Sequence, residues 1–128
     1  MEINAIEHVV SNCKTGPPCV LHLQNLDARG VQGWEDRLIN AVNQGIVVIM
    51  SSGSNYWGQN ACDFSPSFVP EVITVGALTE TDSIASFGRT GPCVDFYAPG
   101  SNIISSWYNS AYITLNSTNA ASSREFLI

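Results

Sequence analysis

An α/β fold built on a mostly parallel, partly doubly wound sheet with few covering helices is what this sequence predicts. Three observations point there. GIVVIM is a continuous β-branched run without polar alternation, the pattern of a strand covered on both faces. A strand, a helix and a strand follow one another between CVLHLQNL and GIVVIM, the order of a right-handed crossover unit. EVITVGAL then repeats the buried-strand pattern beyond a long polar loop.

Taken in order, Ile3, Ile6, Val9 and Val10 stand at helical spacing and predict a short amphipathic helix ending near Ser11 and Asn12. CVLHLQNL, bounded by Pro18 and the Asp27 to Gly30 turn, suits a buried strand. Trp34, Leu38, Ala41 and Val42 form the stripe of a second helix. Glu35 and Asp36 in its first turn favour the helix dipole, and Gly45 stops it. GIVVIM, EVITVGAL, VDFYAP, NIISSWY and AYITL supply the remaining strands, and no further long helix is visible. Two short helices do not cover both faces of such a sheet. Exposed apolar patches and strand edges, and self-association through them, are therefore expected.

Composition narrows the function classes. Charged residues are only 12% of the chain against an average of about 25%, and 45% are hydrophobic, so the chain is core-rich rather than disordered. A net charge of -6 with five Lys and Arg and no basic cluster offers nothing to nucleic acid or an anionic membrane. No apolar run approaches the ~18 residues of a membrane span. The four cysteines, Cys13, Cys19, Cys62 and Cys93, form no CxxC pair, which argues against zinc and leaves disulfides or buried thiols. Disulfides imply an oxidising compartment, while MEINAIEHVVSN lacks the basic and apolar regions of a secretory signal, so the compartment is left open.

From about Gly45 to Ala121, four runs appear in a telling order: GIVVIMSSGSN, ACDFSPSFVPEVITVGAL, IASFGRTGPCVDFYAPGSNIISSW and LNSTNAA. In them the chain resembles the proteinase K branch of the subtilisin-like serine endopeptidases, the subtilases of peptidase family S8. The first 44 residues look similar with lower specificity. The resemblance implies a subtilisin-like fold, peptide-bond hydrolysis as the family activity and a usually extracellular setting. It also implies that residues 1–128 are part of a catalytic domain truncated at both ends.

Subtilase chemistry needs a serine, a histidine base and a carboxylate that fixes the base's tautomer. In the family the Asp and His motifs precede the serine, and neither is present here. The only histidines are His8 and His22, which read as a helix-face and a strand residue. The family's loop Gly, Thr, Ser, Met, Ala matches Ser117, Thr118, Asn119, Ala120 and Ala121, so Asn119 stands at the nucleophile position. A carboxamide is not deprotonated to attack a carbonyl in ordinary hydrolase chemistry.

The family's oxyanion-binding asparagine corresponds to Ser54, with Asn55 one position late, and the preceding Ser51, Ser52 and Gly53 correspond to walls of the specificity pocket. The substrate-pairing edge, Ser-Leu-Gly-Gly in the family, falls on Asn25, Leu26, Asp27, Ala28 and Arg29, whose side chains occupy a track where glycine permits close approach.

Cys62 and Cys93 match a disulfide of proteinase K-like enzymes, with two buried thiols as the alternative; a bridge there contributes roughly 3.5 kcal/mol by chain entropy. Cys13 and Cys19 either pair locally or have each lost a partner. Pro70, Val72 and Asp95 match a calcium site of two carbonyls and a carboxylate, against the alternative that Asp95 only caps a loop. Asn116, Ser117 and Thr118 form a glycosylation sequon, read here as incidental.

Three functional readings follow. The first is a subtilase domain fragment of the serine endopeptidase class that is catalytically incompetent by itself. The second is a pseudoprotease whose retained pocket walls bind a peptide, a protease or another substrate-like protein. The third is a truncated gene product without function.

Overall fold

Helix α1 spans Glu2–Cys13 and buries Ile6 and Val10, one turn apart, against the sheet. The computed structural model describes residues 2–13, 18–24 and 32–125. Near the end of α1, Ser11 and Asn12 turn their side chains back onto the carbonyls of Glu7 and His8, four residues earlier. These bonds give the last turns an alternative to continuing, as short polar side chains do.

Strand β1 (Val20–Leu23) leads to α2 (Gln32–Asn43), where Trp34, Leu38 and Ala41 are buried at helical spacing. The stop at Gly45 has a specific geometry. Gly45 has φ +86°, its N–H donates to Val42 O at 2.9 Å, and Ile46 N–H donates to Ala41 O at 3.1 Å. That pair of bonds is a Schellman motif, with Ile46 and Ala41 as its apolar contact.

Strands β2 (Val47–Ser51), β3 (Ile73–Leu78) and β4 (Phe96–Pro99) extend β1 into a four-stranded, all-parallel sheet ordered β1-β2-β3-β4. The register sets Val48 beside Leu21, Ile49 beside Ile73, and Val75 beside Phe96. Side chains alternate across the sheet, and β2 shows why its sequence does not. Val48 and Met50 join the α1 and α2 core with Val69 and Val72, whereas Ile49 joins Val75, Ala77, Ala85, Ala98 and Ala121 on the opposite face. Both faces are apolar because both are covered.

The second cover comes from α3 (Thr118–Glu125), which packs on β2, β3 and β4. Its sequence, TNAASSRE, has almost no apolar stripe, so the helix is invisible to hydrophobic periodicity. The face that looked bare in the sequence is thus closed by small residues. Strands β5 (Ile103–Ser106) and β6 (Tyr112–Leu115) form a separate antiparallel hairpin. Ile104, Trp107, Tyr108 and Tyr112 on it are exposed, as are Val20, Val47 and Phe96 on the main sheet.

Both disulfides are closed. Cys13 and Cys19 pair locally with Cα atoms 6.0 Å apart, and Cys62 pairs with Cys93 at 5.2 Å. The second bridge lies beside backbone pairing of the same two loops, Thr90 N–H to Gln59 O and Ala61 N–H to Thr90 O, both 2.8 Å.

Candidate active site

The carboxyl end of β2 meets the amino end of α3, and two glycines make the meeting possible. A Cβ on Gly100 would lie 2.7 Å from Ala77 Cβ and 2.8 Å from Ser117 O; one on Gly88 would lie 2.8 Å from Thr118 Cγ2. With hydrogen there instead, Gly100 N–H donates to Leu78 O at 3.0 Å and Ser117 N–H donates to Gly100 O at 2.8 Å. The loop into α3 is thereby pinned to the end of the sheet.

Ser117 caps the helix. Its Oγ accepts from Asn119 N–H at 3.1 Å, and its carbonyl accepts the first helical bond, from Ala121 N–H at 3.2 Å. Ser117 therefore has a local structural job.

Asn119, one residue into the helix, points back toward β2. Ser51 Oγ donates to Asn119 Oδ1 at 2.6 Å across 68 residues of chain. Ser51 is buried and Asn119 is half-buried. Ser51 takes one lone pair of the amide oxygen, and Asn119 Nδ2 donates to none of the described residues. A cavity of about 430 Å³ opens beside it, with Ile103, Ile104, Leu115 and Ala120 as apolar lining and Gln24 and Arg124 as polar lining.

His22 on β1 approaches the same helix. Ser122 Oγ lies 2.9 Å from His22 Nε2 and 3.0 Å from Asn119 O. A carbonyl only accepts, so the single hydroxyl proton goes to Asn119 O and His22 Nε2 is the donor to Ser122. Burial holds the His22 imidazole below its ordinary value of 6.5. This histidine braces α3 through Ser122. His8 lies exposed on α1, 3.3 Å from the Asn12 carboxamide.

The other sequence-predicted residues face elsewhere. Ser52 is buried and donates through Oγ to Arg89 O at 3.1 Å; Gly53, at φ +83°, accepts at its carbonyl from Arg89 N–H at 3.0 Å. Ser54 is exposed and caps the short 3-10 turn Asn55–Trp57, accepting from Tyr56 N–H at 3.4 Å. Asn55 donates its side-chain amide to Ser86 O. Of Ser51, Ser52, Gly53 and Ser54, the structure brings Ser51 alone into hydrogen-bond contact with Asn119. Asn25 to Arg29 lie outside the described residues.

Arg89 is the residue that sequence reasoning passed over. It is 2% exposed, its guanidinium carbon sits 3.5 Å from the centroid of the Phe64 ring, and its Nε donates to Gly58 O at 3.3 Å. The cation over an aromatic face, with its backbone clasping Ser52 and Gly53, fixes the loop after β2. Its only sequence signal was a lone Arg among the small residues of SFGRTGP.

Asp95 binds the start of β3. Its Oδ2 accepts from Thr74 N–H at 2.7 Å, and its own N–H donates to Thr74 O at 2.9 Å. The carboxylate is thereby held against Thr74, two residues after Val72, and Asp95 is exposed. Among the described residues no cluster of three or more His, Cys, Asp or Glu is poised to hold a metal. A cation here would rely on main-chain carbonyls, a donor set of hard oxygens that suits calcium.

Comparison with known proteins agrees with this architecture. The chain is 38% identical over 97 residues to an extracellular serine proteinase of Thermus sp. (strain Rt41A), covering 76% of this chain and 23% of that protein. It is 40% identical over 124 residues to the subtilisin-like serine protease AsES of Sarocladium strictum, covering 94% and 31%. The crystal structure of a cold-adapted subtilisin-like serine proteinase superposes with a TM-score of 0.83 at 32% identity, covering 94% of this chain and 42% of that one. The chain thus spans less than a third of the length of these two relatives. Residues 5–126 match the Peptidase_S8 subtilase family model, and the chain belongs to the subtilase family.

Proposed function

We propose that this chain is a serine-endopeptidase-class domain segment that does not hydrolyse peptide bonds by itself. The observation that carries the reading is the Ser51 to Asn119 hydrogen bond. By the family resemblance Asn119 stands at the nucleophile position, and this bond engages its carboxamide oxygen with a buried hydroxyl. Ser51 is no substitute nucleophile: its proton is committed to an amide oxygen, which is no general base. Ser54, the oxyanion counterpart, caps a turn instead. Removing an oxyanion donor costs about 2.7–4 kcal/mol of transition-state stabilisation, a magnitude known from subtilisin itself.

The test is turnover of peptide esters together with labelling by a serine-directed fluorophosphonate. No turnover and no label are expected, and Asn119→Ser is expected to restore neither. Stoichiometric labelling of any serine overturns the reading.

A second reading, a pseudoprotease that binds peptides, is favoured by the cavity beside Asn119, with its apolar lining and an Nδ2 donor that has no partner among the described residues. Titration with an apolar peptide should shift the Asn119 side-chain amide resonances saturably; no shift at high peptide concentration sinks it. Self-association belongs to the same proposal, because Ile104, Tyr108 and Tyr112 are 72%, 71% and 80% exposed on one hairpin. A strictly monomeric species in sedimentation equilibrium would refute it. Calcium held by the Pro70 and Val72 carbonyls and Asp95 would supply electrostatic cross-linking of the loop before β3. Calorimetric titration of wild type against Asp95→Asn tests it, and equal or absent heats reject it.

A further inference from the structure

We propose that Asn116 is an N-linked glycosylation site whose proximal sugar rests over a hydroxyl-lined cleft beside β3. Asn116-Ser117-Thr118 is the chain's only Asn-X-Ser/Thr sequence. Three features of the finished fold accommodate a sugar there. Asn116 is exposed, just past the end of β6. Its Oδ1 accepts from Asn102 N–H at 2.8 Å, and Nδ2, the atom that carries the sugar, donates to none of the described residues. Glycosylation retains that carbonyl oxygen, so the bond that orients the side chain survives modification.

A cleft of about 340 Å³ adjoins Asn116, lined by Thr79, Glu80, Thr81, Ser86 and Phe87. Hydroxyls, a carboxylate and one aromatic ring suit the hydroxyls and apolar face of a sugar. All four cysteines are paired, which fits an oxidising compartment, the kind of setting where such transfer takes place. The inference is independent of whether the chain hydrolyses peptides.

In the transfer, Asn116 Nδ2 forms a bond to C1 of an oligosaccharide carried on a lipid pyrophosphate. The C1–O bond to the pyrophosphate breaks, the lipid pyrophosphate leaves with the electron pair, and the transferase removes one amide proton. The acceptor chain is unfolded at that moment, so the burial of Thr118 in the finished fold is no obstacle.

The full chain, translated behind a cleavable secretory leader in the presence of microsomes, provides the test, because modification is read before folding. Wild type should show a size increase removed by peptide-N-glycosidase, with Asp found at position 116 afterwards. Asn116→Gln and Thr118→Val should abolish the increase, and Thr118→Ser should keep it. The glycosylated chain should also show no alkylatable thiol. No increase in translocated wild type, an increase that survives Asn116→Gln, or a glycosylated chain with free thiols would each overturn the proposal.

Discussion

The two faces of the sheet are held by different physics. Under α1 and α2, large aliphatics and Trp34 fill the space, and the packing is of side chain on side chain. Under α3 the buried residues are mostly Ala, with Gly88, Gly100, Ser51 and Ser122 around them, and backbones approach closely enough for hydrogen bonds to decide positions. The first face is stabilised by apolar area, the second by fit and polar satisfaction. The candidate site lies on the second face, where a half-ångström matters more than a methylene.

That contrast can be broken from either side. The largest loss is expected for Leu38→Ala, which empties a fully buried position on the aliphatic face and should cost about 2–5 kcal/mol in urea unfolding. Gly100→Ala adds one carbon to the other face, yet it must push Ala77 or the Ser117 carbonyl aside; about 1–3 kcal/mol is expected. A neutral result there would show that the α3 face is slack. Asn119→Ala strands the buried Ser51 hydroxyl and should cost about 1–3 kcal/mol, while the double variant with Ser51→Ala should recover part of it. A double-variant cost equal to the sum of the two single-variant costs would deny the coupling.

The smallest expected effect is one of pH. The His22 value is lowered in the fold, so the unfolded chain binds more protons below 6.5. Its contribution is fully present above 6.5 and is lost as pH falls through the folded value. A His22→Gln variant should show a flatter decline in melting temperature on acidification than wild type; parallel declines would remove His22 from the account.

Much of the aliphatic face was legible beforehand. Trp34, Leu38 and Ala41 announced α2, Gly45 announced its end, and the unbroken GIVVIM announced a strand with two covered faces. Asn119 and Ser51 were each legible through family resemblance, as members of separate motifs. Their mutual contact was not, because a pair of small polar residues carries no periodic signal. Arg89 was missed for a related reason: a buried guanidinium is recognised by the ring it stacks on, and Phe64 stands 25 positions earlier in the chain.

By itself, then, the sequence determined the strands, the two amphipathic helices and the family. These are recorded in local periodicity, backbone preferences and short motifs, all of which act over a few residues. Tertiary structure decided that α3 closes the bare face, that Ser51 rather than Ser54 meets Asn119, and that Arg89 clasps Ser52 and Gly53. Those outcomes depend on where distant segments meet, and where the contacting residues are Gly, Ala, Ser and Asn, shape and hydrogen bonding settle the meeting.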